Sequence, residues 1–150
     1  MPYRRKKRRN KPQAPEIKLA EPIKADLCQI PIENVLEVWP LADEFIKAGC
    51  AHSELEPGQL LADTLSGNTQ LWFAWSDHLE AAAITRVDVP RCILMVCAGK
   101  GMDNWLGLLD GIEQWAALNK CTSMRIYGRK GWARKLPDYR ITRFVLDKDL

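Results

Sequence analysis

No stretch of the chain reaches the roughly 18 consecutive apolar residues needed to cross a bilayer, and the basic start is followed by no apolar segment. A membrane span and a secretory signal are therefore not expected. Histidine is scarce, with only His52 and His78, and the five cysteines (Cys28, Cys50, Cys92, Cys97, Cys121) form no CxxC pair. The sequence thus predicts no metal site and no disulfide framework, and its thiols read as reduced in a cytosol-like compartment. No nucleophile sits in a glycine elbow, and both histidines lie in acidic surroundings, which excludes a Ser-His-Asp or Cys-His hydrolase. Internal repeats are absent as well.

The 150 residues are 47% hydrophobic, enough for one globular domain and too few for two. Their charge is segregated. Residues 1–12 hold seven basic side chains (Arg4, Arg5, Lys6, Lys7, Arg8, Arg9 and Lys11) and no acid, residues 13–121 hold seven basic against sixteen acidic, and residues 122–150 hold eight against three. Polyanion contact is expected from the arm and the C-terminal part, not from a uniformly basic surface. Residues 1–25, with four prolines and few large apolar side chains, read as a flexible basic arm, and 26–150 as the folded domain.

Within that domain, Leu27, Gln29 and Ile30 suggest a first strand. Val35, Val38, Trp39, Ala42, Phe45 and Ile46 then recur at helical spacing up to Gly49, which is expected to stop the helix. Ser53 and Glu56 have capping-box spacing ahead of Pro57 and a second short helix. Three strand-length runs (69–75, 79–87 and 91–97) with short polar turns predict an antiparallel meander, its last member apolar on both faces and central. A long helix capped by Asp103 or Asn104 follows, then a strand at 123–128, a short helix at 131–136 and a final strand at 140–146. The order reads β α α β β β α β α β. Trp72 and Phe73 must point to opposite sheet faces, with Trp75 beside Phe73, so both faces should be covered.

This order resembles the GNAT-type N-acetyltransferase superfamily over residues 26–150, an α+β fold with a mixed, mostly antiparallel sheet and helices on both faces. WPLADEFI, QLWFAW, CAGKGMDNWL, EQWAALNKC and RIYGRKGWARKLPDY resemble more specifically the small GNAT-like proteins of tailed phages. The resemblance implies that the loop after the fourth strand, with Gly99, Lys100 and Gly101, offers backbone amides to the pyrophosphate of acetyl-CoA, as a helix N-terminus does for anions. Two positions depart from the family pattern. Ala98 stands where a polar or basic residue is expected and Asp103 where a small one is, and a carboxylate there repels phosphate. The glycines serve either that contact or only a tight turn from strand to helix.

The family's tyrosine, which protonates the departing thiolate, falls on Arg134 if Asp138-Tyr139 takes the Gly-Phe place. Tyr127 is a substitute donor by residue type. Glu80 or His78 is a general base by type, although sequence shows neither reach nor acidity. Catalytic residues therefore stay unassigned.

The arm suits either nucleic acid, through counterion release, or an acidic groove of a protein; nuclear import fits its pattern but not the phage-like body. Arg129 and Lys130, in a turn between glycines, and Trp132 beside them form a second expected contact, with Trp132 exposed. The expected function is a phage virion or assembly protein that joins a larger complex, using a GNAT-like scaffold without a cofactor, in the virion or the host cytoplasm. The alternative is an active acetyl-CoA-dependent N-acetyltransferase.

Overall fold

The computed structural model describes residues 25–51, 53–129 and 131–150. The arm, including Arg4, Arg5, Lys6, Lys7, Arg8, Arg9 and Lys11, lies outside the described residues, as do His52 and Lys130. The elements are β1 (Asp26–Gln29), α1 (Ile32–Cys50), α2 (Pro57–Leu65), β2 (Gln70–Trp75), β3 (Leu79–Asp88) and β4 (Arg91–Gly99). They continue with α3 (Met102–Trp105), a 3-10 turn (Leu106–Leu108), α4 (Leu109–Leu118), β5 (Ser123–Ile126) and α5 (Trp132–Lys135).

The sheet has the order β1-β2-β3-β4-β5. The first four strands form the antiparallel meander that their short polar turns predicted, whereas β5 is parallel to β4. Parallel neighbours need a crossover, and the α3–α4 segment supplies it.

Helices cover both faces. On one, Val35, Trp39, Ala42, Ile46 and Cys50 of α1, spaced three and four apart, pack with Leu60 of α2 against Leu71, Phe73, Ala82, Ile84 and Val96. That apolar stripe holds α1 together even though Pro40 interrupts its hydrogen bonding from the solvent side. On the other face Leu109 and Ile112 of α4 pack on Trp72, Ala83 and Leu94, with Trp115 edge-on to Trp72 at a centroid separation of 5.1 Å. The aromatics of β2 therefore do point both ways. Trp75 is the exception, because the ladder slips between Ala74 and Trp75 and leaves its side chain 40% exposed.

Four expectations need correction. Gly49 does not stop α1, which runs on to Cys50; a β-carbon at Gly49 would overlap Val96, so this glycine lets the helix approach β4. Ser53 forms no capping box with Glu56: its hydroxyl donates to Cys50 O and accepts from Leu55 N–H, while Glu56 takes the N-cap and Pro57 the first helical turn. The long helix is capped by Gly101 rather than by Asp103 or Asn104, and it breaks at Trp105, whose φ of −127° accompanies an indole N–H bond back to Lys100 O at 3.1 Å. Residues 140–146 form no strand. Strand propensity is realised only beside a neighbouring strand, and Tyr139, whose hydroxyl donates to Glu113 of α4 at 2.5 Å, holds the chain on the helical side of the sheet.

Candidate functional site

Strand β4 is treated differently along its two sides. Toward β3 it is paired from Arg91 to Gly99, with a bulge that sets one extra residue, Met95, between Leu94 and Val96. Toward β5 the ladder ends at Leu94 opposite Ile126, with a last, long contact from Tyr127 N–H to Leu94 O at 3.5 Å. Beyond it the strands part.

Hydrogen-bond alternation tells which backbone groups the parting exposes. Lys100 N–H donates to Glu80 O at 2.9 Å, so at every second residue back, at Ala98 and Val96, the main chain also faces β3. The N–H and C=O groups of Cys97 and Gly99 face the opposite way, where β5 has ended, and have no backbone partner there among the described residues.

The helices close this split from one side. Trp132 of α5 lies against Trp105 of α3 with centroids 6.4 Å apart, and Lys135 Nζ donates to Asp103 Oδ1 at 3.3 Å. Beneath them is an apolar cavity of about 30 Å³, lined by Trp72, Ala83, Cys97, Trp105, Leu109 and Trp132 among others. That is room for one or two waters at most. Cys97 is among the apolar groups here, and desolvation pushes its thiol from 9.0 up to about 12, so it stays protonated and inert at neutral pH.

The loop that the sequence singled out lies at the open end of the split. Gly99 is required by close packing, since a β-carbon would overlap Ala81 and the carbonyl of Glu80. Gly101 has φ +61°, the left-handed region, where it turns the chain into α3. Both glycines thus have a reason in the fold itself. Lys100 is anchored through its main chain at both ends, by Glu80 and by Trp105, and its side chain is exposed. Asp103 is exposed and engaged by Lys135, which offsets part of the repulsion expected from its carboxylate.

The remaining sequence candidates scatter. Trp132, expected to be exposed, is half-buried against Trp105, because the turn after β5 brings α5 back over the split. Arg129 and Arg134 are exposed. Tyr127, 60% exposed, follows β5 at the point where the ladder ends. Tyr139 is committed to Glu113, and burial together with that carboxylate raises its pKa far above the usual phenol range.

The turn between β2 and β3 holds His78 between two carboxylates: Nδ1 lies 2.5 Å from Asp77 Oδ1 and Nε2 3.2 Å from Glu80 Oε1, while Ser76 donates to Glu80 at 2.9 Å. The hydrogen bond from His78 holds the Asp77 carboxyl below its ordinary range. Asp77, His78 and Glu80 place three ligand-type atoms within 4.8 Å of one another, but these already satisfy each other. Sequence reasoning missed Trp105 and Cys97 as parts of the site, having read Cys97 only as a reduced thiol. A large aromatic so soon after the Gly-rich turn was the available signal.

No family model matches the chain, and no curated protein matches it in sequence. Solved structures do match. A predicted acetyltransferase of Clostridium acetobutylicum solved with acetyl-CoA superimposes with a TM-score of 0.59 at 10% identity, covering 83% of this chain and 96% of that one. The fold is that of the GNAT-type acetyltransferases. An aminoglycoside 6'-N-acetyltransferase of Acinetobacter baumannii (TM-score 0.56, 14% identity, 84% and 98% covered) has the same fold. So does a ribosomal-protein-alanine N-acetyltransferase of Brucella melitensis (0.56, 10%, 83% and 99%). These neighbours agree with the α+β GNAT expectation and lend no support to the phage affiliation. Among the described residues no helix is long and apolar enough to cross a membrane.

Proposed function

We propose that the chain binds a coenzyme A thioester along the free edge of β4 and transfers its acyl group to an amine. One observation carries this reading: the N–H and C=O groups of Cys97 and Gly99 face the space where β5 has ended and have no backbone partner among the described residues. An extended ligand with amide groups can pair there as a further strand would, satisfying main-chain groups that are otherwise left to water. A pantetheine arm has that chemistry. The exposed Lys100 side chain and the Gly101 amide lie at the end where its phosphates would follow.

The bound thioester supplies an activated acyl carbon, and the chain positions and solvates what reacts. Tyr127 stands at the end of the β5 ladder with an exposed hydroxyl, suited to give a proton to the departing thiolate. His78 is not assigned as the base, because both of its ring nitrogens face carboxylates. Trp132 and Lys135 hold α5 over the cavity, so ligand uptake requires this segment to lift from Trp105 and Asp103. A coenzyme A thioester as co-substrate is consistent with a reaction in the cytoplasm.

Calorimetric titration with acetyl-CoA, followed by release of free thiol on adding amines, tests the proposal. Binding with amine-dependent thiol release is expected. The absence of both heat and a shift in melting temperature at millimolar acetyl-CoA would overturn it. A second reading, a non-catalytic scaffold whose residues 1–12 contact an acidic protein or nucleic acid in an assembly such as a virion, draws on Ala98, on Asp103 and on the small cavity. It takes the opposite outcome of the same titration.

A further inference from the structure

The end of β2 remote from the Gly-rich loop borders a second cavity. Its volume is about 180 Å³, and Gln29, Ile32, Thr69, Gln70, Leu71 and Trp115 stand in its wall. Strand register separates it from the split in β4. Ala74 of β2 pairs with Ala81, which pairs with Gly99, whereas Gln70 pairs with Thr85 at the opposite end of the strand. The wall contains one polar group whose direction is fixed. Trp72 Nε1–H donates to Thr85 Oγ1 at 2.9 Å, and Thr85, with no exposure, has Gln70 Oε1 at 2.9 Å as the one acceptor for its own proton among the described residues. An indole only donates, so this relay runs one way and turns the Gln70 carbonyl inward. The Gln70 Nε2 group is then left with no hydrogen-bond partner among the described residues, and solvent reaches it. The neighbouring threonines offer no competing donor. Thr64 gives its proton to Leu60 O at 2.7 Å, so Thr69 must give its own to Thr64, also at 2.7 Å.

We propose that this cavity binds an uncharged molecule about one ring in size, whose carbonyl oxygen accepts a hydrogen bond from Gln70 Nε2. The site goes beyond the proposed transferase activity and does not depend on it. Charge, lining and volume together define the ligand class. No Asp, Glu, Lys, Arg or His lines the cavity among the described residues, so a charged ligand would be desolvated without a partner. Ile32, Leu71 and Trp115 supply apolar walls around the carboxamide, and apolar walls with a few placed polar groups are the usual make-up of a small-molecule site. The volume somewhat exceeds the roughly 150 Å³ that accommodates one benzene ring. The donor is also set in advance, because the relay from Trp72 through Thr85 holds the carboxamide before a ligand arrives, which lowers the ordering cost of binding.

Nitrogen-15 correlation spectra of the full chain during titration with millimolar acetophenone, a ring with one carbonyl and no donor, test this. Saturable shifts are expected at the amides of Gly67, Thr69 and Gln70 and at the Trp115 indole. Benzoate, of similar shape but charged, should leave these signals in place. Gln70→Glu still accepts the Thr85 proton but presents an oxygen where the donor was, and it is expected to weaken acetophenone binding by roughly tenfold or more. Ile32→Trp, at a half-exposed wall position outside the core, should fill the space and also block binding, which keeps the test decisive if Gln70→Glu loses the parent's circular dichroism. The absence of any shift in the parent would overturn the proposal. So would shifts centred on Trp105 and Trp132, equal shifts with benzoate, or undiminished binding in a folded variant.

Discussion

The β3 side of β4 is an antiparallel ladder that runs from Arg91 to Gly99 through the bulge at Met95, sealed by close-packed residues such as Ile84 and Val96. The β5 side has the same strand, the same residues and half the ladder, ending at Leu94. One side is paired to the end of the strand, and the other leaves the main-chain groups of Cys97 and Gly99 without a backbone partner among the described residues. On the proposed reading, one strand serves both stability and binding, by means of a bulge at Met95 and an early end to β5.

The sharpest way to break the contrast is to damage each side in turn. Ile84→Ala, at a position with no exposure on the ladder side, is expected to cost about 2–5 kcal/mol in urea unfolding, as for other core truncations. Trp132→Ala, over the split, is expected to cost less than the roughly 3–5 kcal/mol of a fully buried tryptophan. The same change should increase acetyl-CoA affinity by enlarging the cavity. If Trp132→Ala unfolds as easily as Ile84→Ala, the split is as structural as the ladder, and the contrast fails.

Alkaline pH probes the buried thiols. Burial raises Cys92 to about 11 and Cys97 to about 12 from 9.0, so the unfolded chain loses these protons first. Their contribution to stability is complete below pH 9.0 and is lost as pH rises through the folded values. Tyr139, also raised, acts in the same direction at higher pH. Urea midpoints should therefore fall above pH 9.0, less steeply in Cys97→Ala; a flat profile would mean that the cavity is wet.

The smallest expected effect is that of Asp103→Asn. It removes an exposed pair with Lys135, so the melting temperature should not change measurably. Acetyl-CoA should bind a few-fold more tightly once the carboxylate is gone.

The meander, both covered faces and the α1 stripe were legible because period-2 and period-3.6 patterns are local. The Gly-rich loop was legible for the same reason. The final strand was misread because RITRFVL has strand composition, whereas strand formation depends on pairing with a neighbour, and residues 140–146 form no such pairing among the described residues. Gly49 was misread because its role is contact with Val96, far along the chain. The open groups of Cys97 and Gly99 were hidden for a further reason: which way a main-chain group points is set by pairing register, and no side chain announces it.

The most direct test of the split is nitrogen-15 correlation spectroscopy of the labelled full chain during titration with acetyl-CoA. The amides of Cys97 and Gly99 are predicted to shift most within β4, with those of Val96 and Ala98, already bonded to β3, shifting less. Shifts of equal size at all four positions, or confined to residues 1–12, would contradict the assignment of the free β4 edge as the binding site.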